Sequence, residues 1–277
     1  MNADENDPKT RVAAFYSRVA TTYDQIGPTV FTTFGQRIVE RAAIQPGARV
    51  LDVAAGRGAN LFAAADKVGS TGEVVGIDIA PAMVQETQTL IEQRGLQNVS
   101  MQLMDAEQLT FADNSFDHVL CNFAIFFFPQ LQQALTGFCR VLKPQGTLAV
   151  TLPAGGDARW RWYNELINMY YTRYQIPLPP LAAGAQSPMD VTAFTEQLKQ
   201  AGFTAIQSTV EEAEFIYSDE EEWWKAKWTH GERYPLENMP AEMLKKFRVE
   251  VLERMQELKQ PAGYHEKWRI HCVIGQK

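Results

Sequence analysis

Residues 50–60 read Val-Leu-Asp-Val-Ala-Ala-Gly-Arg-Gly-Ala-Asn, an apolar run that passes through small residues into a helix-forming stretch. This order constrains the fold more than any other feature of the chain. A strand ending in small residues lets a ligand approach the backbone closely. A helix starting there offers unpaired amide hydrogens to a carboxylate or phosphate. Asp52 is expected to brace the loop by accepting its amide hydrogens. Twenty residues beyond Gly58, a second apolar run, Val74-Val75-Gly76-Ile77, ends in Asp78. In nucleotide-binding βαβ units an acid at that place accepts hydrogen bonds from ribose hydroxyls. A glycine pair alone fits an ordinary strand-to-helix turn; the pair followed by a correctly placed acid favours a nucleoside site.

The rest of the chain repeats this alternation. Helix-like spacing over residues 11–43 is broken by Gly27-Pro28. Strands are expected at Arg49–Val53, Val74–Ile77, Val99–Met104, Phe116–Cys121 and Thr147–Leu152, with Lys143-Pro144-Gln145-Gly146 as a turn. Helices are expected near 59–67, from Pro81 to about Arg94, and along the face Leu131, Ala134, Leu135, Phe138, Val141, Leu142. Strands separated by helices indicate a parallel sheet covered on both faces, with the ligand crevice beyond the carboxyl ends of the strands. Beyond residue 153, Val191–Ala201 reads as a helix, Phe203–Tyr217 and Lys267–Ile274 as strands, and Leu244 to Leu258 as an amphipathic helix.

The dinucleotide fingerprint requires a third glycine, and Asn60-Leu61 stands where it would fall. Asp52-x-small-x-Gly56-x-Gly58 instead resembles motif I of class I S-adenosylmethionine-dependent methyltransferases. Val75 to Met83 resembles the ribose-binding segment of that family, Met104 to Leu109 its adenine-binding segment, Phe116 to Val119 its fourth strand, and Arg140 to Thr147 the turn into its fifth. UbiE-type small-molecule methyltransferases are the subgroup it is most similar to. The resemblance covers about residues 45–152. It implies an α/β fold with a Rossmann-like seven-stranded sheet, doubly wound, mostly parallel with an antiparallel last strand. It also implies a helical cap over 1–45, a catalytic domain over 46–277, and lid insertions at about 155–190 and 219–263. The implied cofactor is S-adenosyl-L-methionine. Backbone at Ala54, Ala55, Gly56 and Gly58 would hold its methionine part, and Asp78 its ribose diol. Ile79 and Met83 would pack the adenine, which Asp105 and the Ala106 amide would recognise. Asn122 and Phe123 would lie near the sulfonium, with Tyr23 and Tyr16 closing over it. Ala54 replaces the usual glycine and is strained if its φ must be positive.

Composition narrows the acceptor. The chain has 277 residues and a net charge of −7, with no basic stripe, which disfavours nucleic acid as substrate. Asn122-Phe123-Ala124-Ile125 also lacks the Asn/Asp-Pro-Pro-Tyr-like motif of amino-methylating DNA enzymes. No run approaches a membrane span, the acidic start lacks a secretory pattern, and the three cysteines show no metal-ligand spacing. These features fit a cytoplasmic monomer or homodimer without metal. Five of the six tryptophans (Trp160, Trp162, Trp223, Trp224, Trp228) fall in the lid segments and suggest a wall for a flat or apolar metabolite. His230 is the candidate general base, and Arg57 is expected to face solvent. The alternatives are a nicotinamide oxidoreductase, disfavoured by the missing glycine, and a fold relative that binds the cofactor as a cyclase or non-transferring protein.

Overall fold

The computed structural model describes residues 7–175 and 190–277. The acidic stretch 1–6 and most of the Pro-rich stretch after Tyr174 lie outside the described residues. Two helices, α1 (Pro8–Val19) and α2 (Val30–Arg41), precede the sheet; Asp7 caps the first through the Thr10 amide at 2.8 Å. Then follow β1 (Arg49–Val53), α3 (Ala59–Val68), β2 (Glu73–Asp78), α4 (Pro81–Gln93), β3 (Val99–Leu103), β4 (Phe116–Cys121), α5 (Leu131–Val141) and β5 (Leu142–Gly156). The remainder is α6 (Arg161–Arg173), α7 (Val191–Gln200), β6 (Thr204–Tyr217), α8 (Glu220–Ala226), α9 (Arg233–Glu237), α10 (Ala241–Met255) and β7 (Tyr264–Gln276).

Seven strands pair in the order β3-β2-β1-β4-β5-β7-β6, parallel except for β7, which runs antiparallel to both neighbours. The order reverses between β1 and β4, and the crevice of such a sheet lies beyond the carboxyl ends of those two strands. Side-chain alternation sorts the strands onto two cores. Val50, Val74, Leu120 and Ala149 pack on one face with α2 and α3 residues such as Ile38 and Leu61. Leu51, Val75, Val119 and Val150 pack on the other with Leu135 and Phe138 of α5. A third cluster joins α6, α8 and α10 through Tyr163, Trp223 and Phe247. Among the described residues no helix is long and apolar enough to cross a membrane.

Two expectations need correction. Lys143 to Gly146 is not a separate turn: β5 starts at Leu142, paired with Phe116, and continues through an irregularity with Gln145 at φ 66°. The carboxyl end of β7 holds this kink in register, since Lys277 N donates to the Gly146 carbonyl at 2.9 Å. The last strand also starts three residues before Lys267, at Tyr264, and so takes in His265.

Candidate functional site

Beyond β1 the chain turns sharply. Ala54, Gly56 and Gly58 all take left-handed conformations, with φ of 53°, 52° and 86°. At Gly58, the N-cap of α3, a Cβ would come within 2.5 Å of the Phe62 ring, so only glycine fits. Ala54 bears a cost of about 1–2 kcal/mol for a side chain in that region. Glycine there also loses more freedom on folding. Ala54→Gly is therefore expected to raise stability by a net ~0.5–1 kcal/mol, read as a higher urea midpoint at unchanged slope; an unchanged or lower midpoint would refute the strain.

Asp78 holds this loop. Its carboxylate accepts from the Gly56 amide and the Ala80 amide, both at 2.9 Å. Burial raises its pKa, and those amide bonds only partly oppose the rise. Asp52 does not act as the brace. Its buried carboxylate accepts from the Asn60 side-chain amide at 2.9 Å, and its second oxygen has no hydrogen-bond partner. Burial pushes Asp52 up to about 7.

Ten of the twelve predicted binding residues line one crevice: Tyr23, Ala54, Gly56, Asp78, Ile79, Met83, Asp105, Ala106, Asn122 and Phe123. Ala55 and Gly58 do not. The Ala55 amide donates to the Ile77 carbonyl at 2.9 Å, and both residues line a groove on the α2–α3 side of the loop. Met83 also serves the packing of α1 on α4, buried with Phe15, Val19 and Ala80. Arg57 is not solvent-facing: its guanidinium donates to the Ala20 carbonyl at 2.8 Å and pairs with Glu86 at 3.0 Å.

Helix α1 brings two residues that no local pattern identified. Lys9 reaches Asp105 at 2.6 Å and also pairs with Glu107, and Val12 joins the crevice wall beside Tyr16. Asp24, at φ 57°, fastens the start of α2 by accepting from Thr32 N at 2.9 Å and Thr32 Oγ1 at 2.7 Å. That places Phe31 in a stack on Tyr23 with ring centroids 4.9 Å apart.

A cavity of about 740 Å³ adjoins the crevice. Tyr16, Tyr23, Phe123 and Phe127 line both spaces. Trp160, Trp223 and Trp268 form part of the cavity's far wall. Trp224 and Trp228 pack on each other instead, and Trp162 lies against Trp160. Trp268 was missed as a wall residue because β7 carries it there from the last strand. Deeper in the wall, buried Lys227 lies 3.0 Å from Glu232 and 3.1 Å from Glu266. His230 lines the cavity beside Phe31 and Trp268, with ring centroids 5.7 and 6.4 Å away. Burial, and then the charge of Lys227, push its pKa down to about 3. A neutral imidazole held that low is a weak acceptor of protons, which argues against the expected role as general base.

A family model described as a methyltransferase domain matches residues 44–230. Aklanonic acid methyltransferase DauC of Streptomyces sp. (strain C5) is 42% identical over 145 residues, 52% of this chain and 66% of that protein. Nocamycin O-methyltransferase of Saccharothrix syringae is 31% identical over 229 residues, 79% of this chain and 81% of that protein. The crystal structure of the YcgJ protein from Bacillus subtilis shares the fold with a TM-score of 0.60 at 21% identity, covering 88% of this chain and 98% of that one.

Proposed function

The chain belongs to the methyltransferase-domain family, class I, with S-adenosylmethionine as its cofactor, and from that premise we propose that it methylates a small aromatic or apolar acceptor held in the 740 Å³ cavity. The observation that carries this reading is the set of four aromatic residues common to crevice and cavity. They form a doorway where a donor on one side meets a nucleophile on the other.

The crevice residues suit the cofactor in kind. Asp78 keeps unused lone pairs on both oxygens beside its two amide bonds, so it can still accept from a ribose diol. Ala54 and Gly56 present backbone at the methionine end, and Ile79 and Met83 supply apolar surface for adenine. Asp105 faces the same space, shared with Lys9. The crevice holds about 80 Å³ under Lys9, Tyr16 and Tyr23, so admission of a nucleoside requires these side chains to move. The first two helices act as the cap, and the segments around α6 and α8–α10 as the lid over the acceptor.

When bound, S-adenosylmethionine supplies a methyl group on a positively charged sulfur that leaves as a neutral thioether. The protein's part is alignment at about 3–3.5 Å and exclusion of water. Among the described residues the doorway offers no strong base. Tyr16 and Tyr23 are pushed well above the ordinary phenol range by burial, and His230 is held low. This favours an acceptor acidic enough to ionise on its own, such as a carboxylic acid or the enol of a 1,3-dicarbonyl. Aklanonic acid, named for one relative, is a rational first compound. Incubation with methyl-labelled donor and a panel of such acids should transfer label to the acceptor. Donor bound without any methylated product across the panel would favour the cyclase or binding reading.

Asp78→Ala is expected to weaken calorimetric affinity for S-adenosylhomocysteine by about 10-fold or more, since diol bonds of ~1.5–3 kcal/mol each are lost. Asp78→Asn, which keeps one acceptor oxygen, should lose less. Equal affinity in all three proteins would remove Asp78 from the site.

A further inference from the structure

The structure assigns a part to Thr151, which lies inside the sheet and touches neither space directly: we propose that it is a positioning residue that sets the doorway. The proposal rests on the methyl-transfer reading above. Thr151 stands on β5, one residue beyond the Cys121–Val150 register pair, and is fully buried. Its hydroxyl accepts from the Phe123 amide at 2.9 Å and donates to Asn122 Oδ1 at 2.6 Å. Asn122 in turn donates through Nδ2 to the Phe31 carbonyl at 3.3 Å. One hydroxyl therefore ties the end of β4 to the wall contributed by α2.

The tie matters because of what Phe123 has to do. Its φ is 52°, a left-handed conformation that a bulky side chain keeps only when its surroundings hold it there. In that conformation the ring stands edge-on to Phe31 at 5.3 Å and near Trp268 at 6.3 Å, and it lines both crevice and cavity. A relaxed Phe123 would carry its ring away from the junction. Thr151 thus acts on the donor side through Phe123 and Asn122, without contacting the donor.

The test is a double-mutant cycle read by calorimetric titration with S-adenosylhomocysteine. Thr151→Val removes the hydroxyl at constant size and is expected to weaken binding by about 10-fold, the scale of losing one such buried hydrogen-bonding group. Thr151→Ser keeps the hydroxyl and should stay within about 2-fold of the parent. In a Phe123→Gly background, where glycine holds a left-handed φ without help, Thr151→Val should cost clearly less affinity than in the parent, the remainder being the share carried through Asn122. Should the valine variant not fold, Thr151→Cys is read in its place. Parent-like binding by the valine variant, or an equal loss in both backgrounds, would overturn the positioning role while leaving the methyl-transfer reading intact. A parent protein that does not bind S-adenosylhomocysteine would instead overturn that reading, and this proposal with it.

Discussion

Replacing Asp52 by asparagine is expected to make the protein markedly more stable at pH 8 and to change it far less at pH 4.5. Asp52 is completely buried in β1, with one oxygen bonded to Asn60 and the other without a partner. Burial, aided by the nearby charge of Asp78, pushes its pKa up to about 7, against the smaller opposing effect of the Asn60 bond. In the unfolded chain the group returns to about 4. Below that value both states hold the proton and the group is neutral with respect to folding. Between about 4 and about 7 the unfolded chain releases it while the folded chain keeps it. The native state then binds more protons, so stability falls as pH rises through this window. The gap corresponds to roughly 4 kcal/mol, an upper figure because asparagine brings an amide that also needs a partner. Urea midpoints of parent and variant, taken at both pH values, isolate the effect, because other titrating groups are common to the two proteins. Parallel stability curves would show that Asp52 ionises freely and that its surroundings admit water.

Asp52 also shows where reading the sequence stops. The motif located the bend and Asp78 correctly, because both depend on a short strand and its immediate continuation. Which carboxylate receives the Gly56 amide depends on how β1 and β2 lie side by side, and only the pairing of Asp52 with Gly76 settles that. The same division runs through the fold. Arg49–Val53 and Phe116–Cys121 agree residue for residue with the expected strands, since each is a short, mostly apolar run with no helical periodicity. β5 and β7 are longer than expected because neighbours extend them: β7 carries β5 on to Gly156 opposite Trp268, and β6 carries β7 back to Tyr264 opposite Tyr217. Single-strand patterns carry no trace of such a partner. Lys9 on Asp105, Thr151 on Phe123 and Trp268 in the cavity wall all join residues more than 25 positions apart. By contrast Asn122 and Phe123 were legible, because a topological rule places the end of β4 at the crevice whatever its local sequence.

The second large effect belongs to Lys227. Replacing it alone by methionine is expected to cost about 3–5 kcal/mol, the range for breaking a buried ion pair by removing one partner. Lys227 is 1% exposed, lies over the Trp223 ring at 4.5 Å from its centroid, and is shared by Glu232 and Glu266. Burial works against its charge, but the two carboxylates outweigh burial and hold its pKa well above the ordinary lysine range. Without it, Glu266 stays 9% exposed with only the Trp223 indole N–H, at 3.2 Å, to satisfy it. Glu232 is less committed, because its side chain is 28% exposed and can turn toward water. The damage should therefore come mainly from Glu266, and the double variant Lys227→Met with Glu266→Leu should recover most of the loss, since an apolar pair of similar volume replaces a buried ion pair at little cost. His230 gives an independent readout. Its imidazole is held down by burial and then by the charge of Lys227, so its NMR titration should move upward in the Lys227→Met variant. A loss below about 1 kcal/mol for the single change, or a double variant no more stable than the single, would mean that water reaches this cluster in solution. In that case the cavity wall would be a hydrated surface rather than the dry one the methyl-transfer reading requires.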